Sequence, residues 1–259
     1  MNIASISSRR MGMHPSTVLV NAQTLEQARY HLKTNLGVSE GFYTHCPTHP
    51  IFGTGQGSGN SPTIWCFVSS VLFDAFESRA HGATFCSYDN GLKTKIYMIG
   101  FVDNCTQRVN EFQSYQQPDT PTLIHLMTRD AQLWNDLLWV SGGALEQSKC
   151  SFHLIQSDWN QDGHPFLKGG TGSPPILLTD GTKMHPIFQK SNYDSHKTLG
   201  CYINPAHSQH SAYKIIQTKN HKNAQLLEMN HFSRSEAWIF YTSFYLPSIT
   251  YSLPMTPFT

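Results

Sequence analysis

Leu25, Ala28, Leu32 and Leu36 recur at helical spacing and are followed by Gly37, which can take a left-handed cap, so the pattern predicts an amphipathic helix over about residues 22–36. A second helix is signalled at Ser61-Pro62, where serine can cap and proline can occupy the first turn. It continues through IWCFVSSVLFDAF, apolar on nearly every side, and is expected to be buried. The run KIYMIGFVDN is β-prone and apolar on both faces, and it ends in an Asp-Asn pair suited to a tight turn, which predicts a central hairpin. Thr120-Pro121 opens the clearest helix, with Leu123, Leu126, Met127, Leu133, Trp134, Leu137 and Leu138 on one face and Gly142-Gly143 as its stop.

Further on, CSFHLIQSDW and ILLTDGTKMHPI read as strands or hairpins, the second turning at Asp180-Gly181. From about residue 208 the pattern is helical again, and Ser233 with Glu236 forms a capping box for a helix through Tyr245. The expected class is α+β, a core over residues 1–206 followed by a small helical segment over 207–259.

Composition adds little beyond this. With 39% hydrophobic and 14% charged residues, a chain of 259 residues can bury a core, and a formal net charge of +1 gives no sign of a nucleic-acid partner. The six cysteines have no paired short spacings and suggest a reducing compartment. Arg9 and Arg10 follow a short mixed segment, the wrong order for an export signal, and the apolar run from Ile64 to Phe73 is interrupted by Ser69 and Ser70 and too short for a bilayer. A soluble intracellular protein, cytoplasmic or nuclear and without a membrane partner, is expected.

Candidate chemistry starts at GTGQGSGNSP, residues 53–62, where four glycines in seven residues let backbone lie close to a ligand before a helix. The P-loop, the dinucleotide fingerprint and the nucleophile elbow all fail to fit it. Asp103 stands at the turn of the apolar hairpin, where rigid strands can hold a carboxylate toward solvent and a divalent cation.

Together these motifs resemble those of reverse transcriptases. Gln56-Gly57-Ser58-Gly59-Asn60-Ser61-Pro62 is similar to the Q-G-x-x-x-S-P motif, and Phe101-Val102-Asp103-Asn104 to the aromatic-x-Asp-Asp catalytic hairpin. The long helix, its glycine turn and Lys149 resemble the next family element, and HKTLGCY at 196–202 the leucine-glycine primer grip. The helical end through FYLPSITYSLP looks like a polymerase thumb. The similarity in motif order spans about residues 10–254.

The resemblance implies a palm-like antiparallel sheet with packed helices, then a thumb-like subdomain. It implies an RNA template with a DNA primer and a dNTP as partners, and Mg²⁺ or Mn²⁺ as cofactor, in nucleotidyl transfer to a primer 3′-OH. Asp103, with Asn104, would hold metal; Lys149 would donate a proton to the leaving pyrophosphate. Gln56, Gly57, Ser58, Ser61 and Pro62 would meet nucleotide and template, and Lys197, Leu199 and Gly200 the primer. The charge pattern agrees: Lys183, Lys190, Lys197, Lys214, Lys219 and Lys222 face a single acid, Asp194, over that stretch.

Two departures weaken the chemistry. The family's second metal-binding aspartate belongs on a strand before the glutamine-glycine motif, yet the first aspartate here is Asp74 and only Glu26 and Glu40 precede the motif. The second hairpin aspartate is Asn104, which keeps an oxygen and loses a charge. Met1 is expected to fall just after the missing strand, giving an N-terminally truncated, inactive polymerase. The alternatives are a non-catalytic nucleic-acid-binding remnant and, on Cys46-x-x-His49 and His207-x-x-His210 among fourteen histidines, a zinc site. Trp134 and Trp139 are both expected in the core rather than as base-stacking platforms.

Overall fold

The structure, a computed structural model, describes residues 3–44, 46, 59, 61–89, 91–101, 104–110, 119–168, 170–198 and 201–251. In chain order the elements are α1 (Ile3–Arg10), α2 (Pro15–Glu26), β1 (Arg29–Thr34), β2 (Gly37–Thr44), α3 (Ser61–Glu77), β3 (Ala83–Cys86), β4 (Lys93–Ile96), β5 (Met98–Phe101), β6 (Asn104–Gln107) and α4 (Thr120–Val140). A 3₁₀ turn (Gln147–Lys149) leads to β7 (Phe152–His153), β8 (Ser157–Trp159), β9 (Pro165–Leu167), β10 (Ile176–Thr179), β11 (Met184–Ile187), β12 (Gln189–Lys190), β13 (His196–Thr198) and β14 (Cys201–Ile203). The chain then runs through α5 (His210–Met229), α6 (Arg234–Phe240), a π-helical turn (Tyr241–Tyr245) and α7 (Leu246–Thr250). This is an α+β protein, and among the described residues every sheet is a two-stranded pair. No described helix is long and apolar enough to cross a membrane.

Two compact units divide the chain: Met1–Ser148 with Ile176–Pro186, and Lys149–Pro175 with Ile187–Thr259. In the first unit, Val68, Leu72, Phe76 and Ala80 from α3 and the residues after it pack with Trp134 of α4, and Ile3 and Ala4 of α1 cover the cluster. α4 follows its sequence pattern, with Trp134 3% exposed and Gly142 taking a φ of 84° at the stop. Its far end does not: Trp139 is 68% exposed, because it falls off the stripe that Leu133, Leu137 and Leu138 keep against the core.

Three further expectations need correction. Residues 22–36 do not form one helix. α2 ends at Glu26, and Gly37, with a φ of 130°, lies at the start of β2 just past the turn of the β1–β2 hairpin. The last two leucines of the supposed stripe find no core, Leu32 being 67% and Leu36 95% exposed. Cross-strand contacts hold the hairpin instead: Tyr30 stacks on Tyr43 with centroids 5.4 Å apart, and the Arg29 guanidinium lies 4.6 Å over the Phe42 ring. Second, α3 buries one face, through Val68, Ser69, Leu72 and Phe76, while Cys66 on the other side is exposed. Third, KIYMIGF is split at Tyr97 between two ladders, β4 pairing with β3 and β5 with β6, both antiparallel.

In the second unit, β7 and β12 pair in parallel, while β8–β9 and β13–β14 are antiparallel hairpins. Asn192 organises the loops between them. It is fully buried, and its Nδ2 donates to the Leu154 and Lys168 carbonyls at 2.9 and 3.1 Å, while its backbone carbonyl accepts from the Ala206 N–H. The helical end carries the expected capping box: the Ser233 hydroxyl accepts from the Glu236 N–H, and the Glu236 carboxylate accepts from the Ser233 N–H at 2.8 Å.

Candidate functional site

The β5–β6 hairpin, which the reverse-transcriptase resemblance makes catalytic, pairs Phe101 with Asn104 across its last register position. Asn104 is exposed on β6, and Asp103 lies outside the described residues. What fixes the hairpin is a close approach to α3. A Cβ added to Gly100 would stand 2.5 Å from Cζ of Phe73, so only glycine lets the strand lie on that ring. Phe73 in turn stacks on Trp134, with centroids 5.6 Å apart and planes 11° from parallel, and Phe76 meets the same indole edge-on at 5.7 Å. Met98 and Cys105, one from each strand, pack against the cluster. The hairpin is thus seated on α3 and α4 by a chain of ring contacts.

α3 is also the helix that follows the glutamine-glycine segment. Ser61 and Pro62 form its first residues, with Pro62 exposed, and proline fits there because the first helical N–H groups have no partner inside the helix. Gln56, Gly57 and Ser58 lie outside the described residues. In the first unit, therefore, the helix opened by Ser61-Pro62 and the hairpin carrying Asn104 are packed on one another.

The segment linking α3 to β3 is tied down by a carboxylate that the sequence pattern conceals. Asp130 of α4 is 1% exposed; it accepts from the His81 N–H at 2.8 and 2.9 Å and from the Gly82 N–H at 3.0 Å. Asn110 completes the brace, accepting from the Thr84 N–H and donating to the Thr84 carbonyl, both at 2.8 Å. A signal for Asp130 exists in the sequence: it sits on the apolar stripe of α4, between Met127 and Leu133, where a charge needs a buried partner.

The remaining candidates belong to the second unit. Lys149 closes the 3₁₀ turn and is exposed. Lys197 is exposed on β13 and pairs with Tyr202 of β14, so the segment read as a primer grip forms a hairpin; Leu199 and Gly200 lie outside the described residues. Of the lysine series, Lys190 is half-buried on β12 and Lys214, Lys219 and Lys222 are exposed on α5. Beside Lys190, burial holds the His153 imidazole below the ordinary histidine range against the opposing pull of its hydrogen bond to the Ser191 carbonyl, and at His196, which is exposed on β13, partial desolvation and then the Lys190 charge act in the same direction.

The donor set does not fit the two divalent ions of a polymerase. Asp103 offers one carboxylate, Asn104 an uncharged amide oxygen, and Asp74, the first aspartate of the chain, is exposed on α3. Among the described residues no group of three His, Cys, Asp or Glu side chains could hold a metal ion, and His49 of the proposed zinc pair lies outside them. Comparison with protein-family models, with curated proteins and with solved structures returns no match.

Proposed function

We propose that this chain carries the palm and thumb segments of a reverse-transcriptase-like polymerase, an RNA-directed DNA polymerase by resemblance, and that over these 259 residues it contacts primer–template without completing nucleotidyl transfer. The observation that carries this reading is the pairing of two motifs. The helix opened by the Q-G-x-x-x-S-P segment and the hairpin of the Phe101–Asn104 segment lie against each other through Gly100 and Phe73. A polymerase needs the nucleotide-contacting segment beside the carboxylate that meets the reacting phosphate, and packing of the hairpin on the helix that follows that segment supports the reading, the contact at Phe73 lying about three turns from Pro62.

In this reading Gln56, Gly57 and Ser58 approach nucleotide and template, and Lys197, Leu199 and Gly200 hold the primer end. By the same resemblance Lys149 is the candidate acid for a leaving pyrophosphate. Asp103 and Asn104 give too little negative charge to hold two divalent ions against the incoming triphosphate, so no metal-dependent step is assigned.

Purified protein is expected to bind a primer–template duplex with an affinity that falls as salt rises, and to add no nucleotide in Mg²⁺ or Mn²⁺. Templated incorporation that disappears on Asp103→Ala would overturn the inactive assignment. Absence of duplex binding at low salt would remove the polymerase reading altogether.

A further inference from the structure

The helical end of the second unit carries a file of aromatic rings, exposed at Trp238 and Tyr241 and half-buried at Tyr245. Trp238 and Tyr241 have centroids 6.0 Å apart, and Tyr241 stacks on Tyr245 at 5.3 Å with planes 23° from parallel. The π-helical turn produces the second contact, since its wider winding brings residues four apart more nearly over one another than an α-helix does. Trp238 is 65% exposed. Arg234, Ala237, Trp238 and Tyr241 line an open pocket of about 500 Å³. At the other end the Tyr245 hydroxyl donates to Oδ1 of Asn220 on α5, and Asn223 donates to Ser248. Each asparagine is preceded by an exposed lysine, Lys219 or Lys222.

We propose that the Trp238–Tyr241–Tyr245 file, flanked by Arg234 and by the lysines of α5, is a binding site for single-stranded nucleic acid. Unpaired bases present π-faces that stack on aromatic rings, and their phosphates seek cations nearby; a duplex hides those faces, so the polymerase reading does not entail this site and the site does not rest on it. Charge separates this ligand from an apolar protein partner. Over residues 210–251 Lys214, Lys219, Lys222 and Arg234 stand against Glu228 and Glu236, and the Glu236 carboxylate is engaged by Ser233. Each ring of the file also carries a polar N–H or O–H, whereas Phe232, Phe240 and Phe244 stack in a separate file.

Fluorescence anisotropy of labelled oligo-dT and oligo-rU of about fifteen nucleotides, titrated with the full chain at two salt concentrations, tests the assignment. Both strands are expected to bind with similar affinity, because stacking does not read the 2′-hydroxyl. Trp238→Ala with Tyr241→Ala should weaken binding by about tenfold or more with its salt slope kept, and Trp238→Phe should restore much of it. Arg234→Gln should lower the salt slope by about one. Trp139→Ala, at an exposed tryptophan of the other unit, should leave binding unchanged. Unaltered binding by the double variant, with its circular dichroism intact, would overturn the proposal. So would a wild-type chain that binds neither strand but self-associates through Trp238. Loss of primer–template binding alone would count against the polymerase reading and leave this site standing.

Discussion

Asp130 is the residue on which the first unit's loop geometry turns. Its carboxylate, nearly enclosed, satisfies the backbone N–H groups of His81 and Gly82 just after α3, where a Cβ at residue 82 would approach Tyr97 to 2.7 Å and the φ is +67°. Asp130→Ala leaves those donors buried without an acceptor and is expected to cost about 3 kcal/mol, read as a lower urea midpoint with an unchanged slope. Asp130→Asn, which keeps one oxygen, should lose less. A variant as stable as wild type would show that solvent reaches those N–H groups. The sequence marks Asp130 only by contrast with its apolar neighbours, and its partners are 48 and 49 positions away, so no local pattern names them.

At the scale of elements, the ones legible from sequence are those with both a face to bury and a local stop. α4 has its stripe, Pro121 and Gly142, and α6 has Ser233 and Glu236. Ser233→Ala is expected to reduce the stability of the helical end by about 1 kcal/mol, seen as lost helical ellipticity on heating, and Ser233→Asp should restore it. Glu236 changes with it: hydrogen bonds from the Ser233 hydroxyl and N–H hold its carboxyl below the ordinary range, a preference the alanine variant should weaken. The region 22–36 has the helical stripe without a core to receive it, and the alternative pairing of Tyr30 with Tyr43 decides for a hairpin. The periodicity of leucines was a weaker signal than the aromatic residues at 30, 42 and 43, which favour a pleated surface.

At the scale of the whole molecule the two units should answer acid differently. His153 and His196 in the second unit both have lowered pKa values, caused first by burial at His153 and by partial desolvation of the exposed His196, with Lys190 adding to each and Asp194 opposing it at His153. Their folded forms favour the neutral ring, so the stabilisation is complete above the unfolded histidine value of about 6.5 and drains away as pH falls below it through the folded values. Unfolding of the second unit is expected at lower temperature at pH 5 than at pH 7.5, and His153→Gln with His196→Gln should flatten that dependence. In the first unit Asp180 works in the opposite range. The Thr182 hydroxyl, His185 and the Lys183 and Thr182 N–H groups hold its carboxyl far below the usual carboxylate range, so the contribution of its turn persists until the pH falls below the unfolded value of about 3.9. Calorimetry across this pH range distinguishes the two transitions.

By itself the sequence determined the α+β class, the bounds of α3 and α4, the turn at Asp180-Gly181, the capping box at Ser233 and the motif series that suggests a polymerase. Each of these is written in residues close along the chain: a stripe, a cap, a turn pair. The candidate site was legible as motifs, through Ser61-Pro62 and the hairpin whose second strand opens at Asn104, but not as an arrangement. Only the tertiary structure decided that Gly100 rests on Phe73, that Asp130 holds the loop after α3, that Trp139 faces solvent and that Trp238, Tyr241 and Tyr245 form one file. Those outcomes depend on which distant surface reaches a residue first, and a buried carboxylate or an exposed indole is defined by such neighbours rather than by the letters beside it.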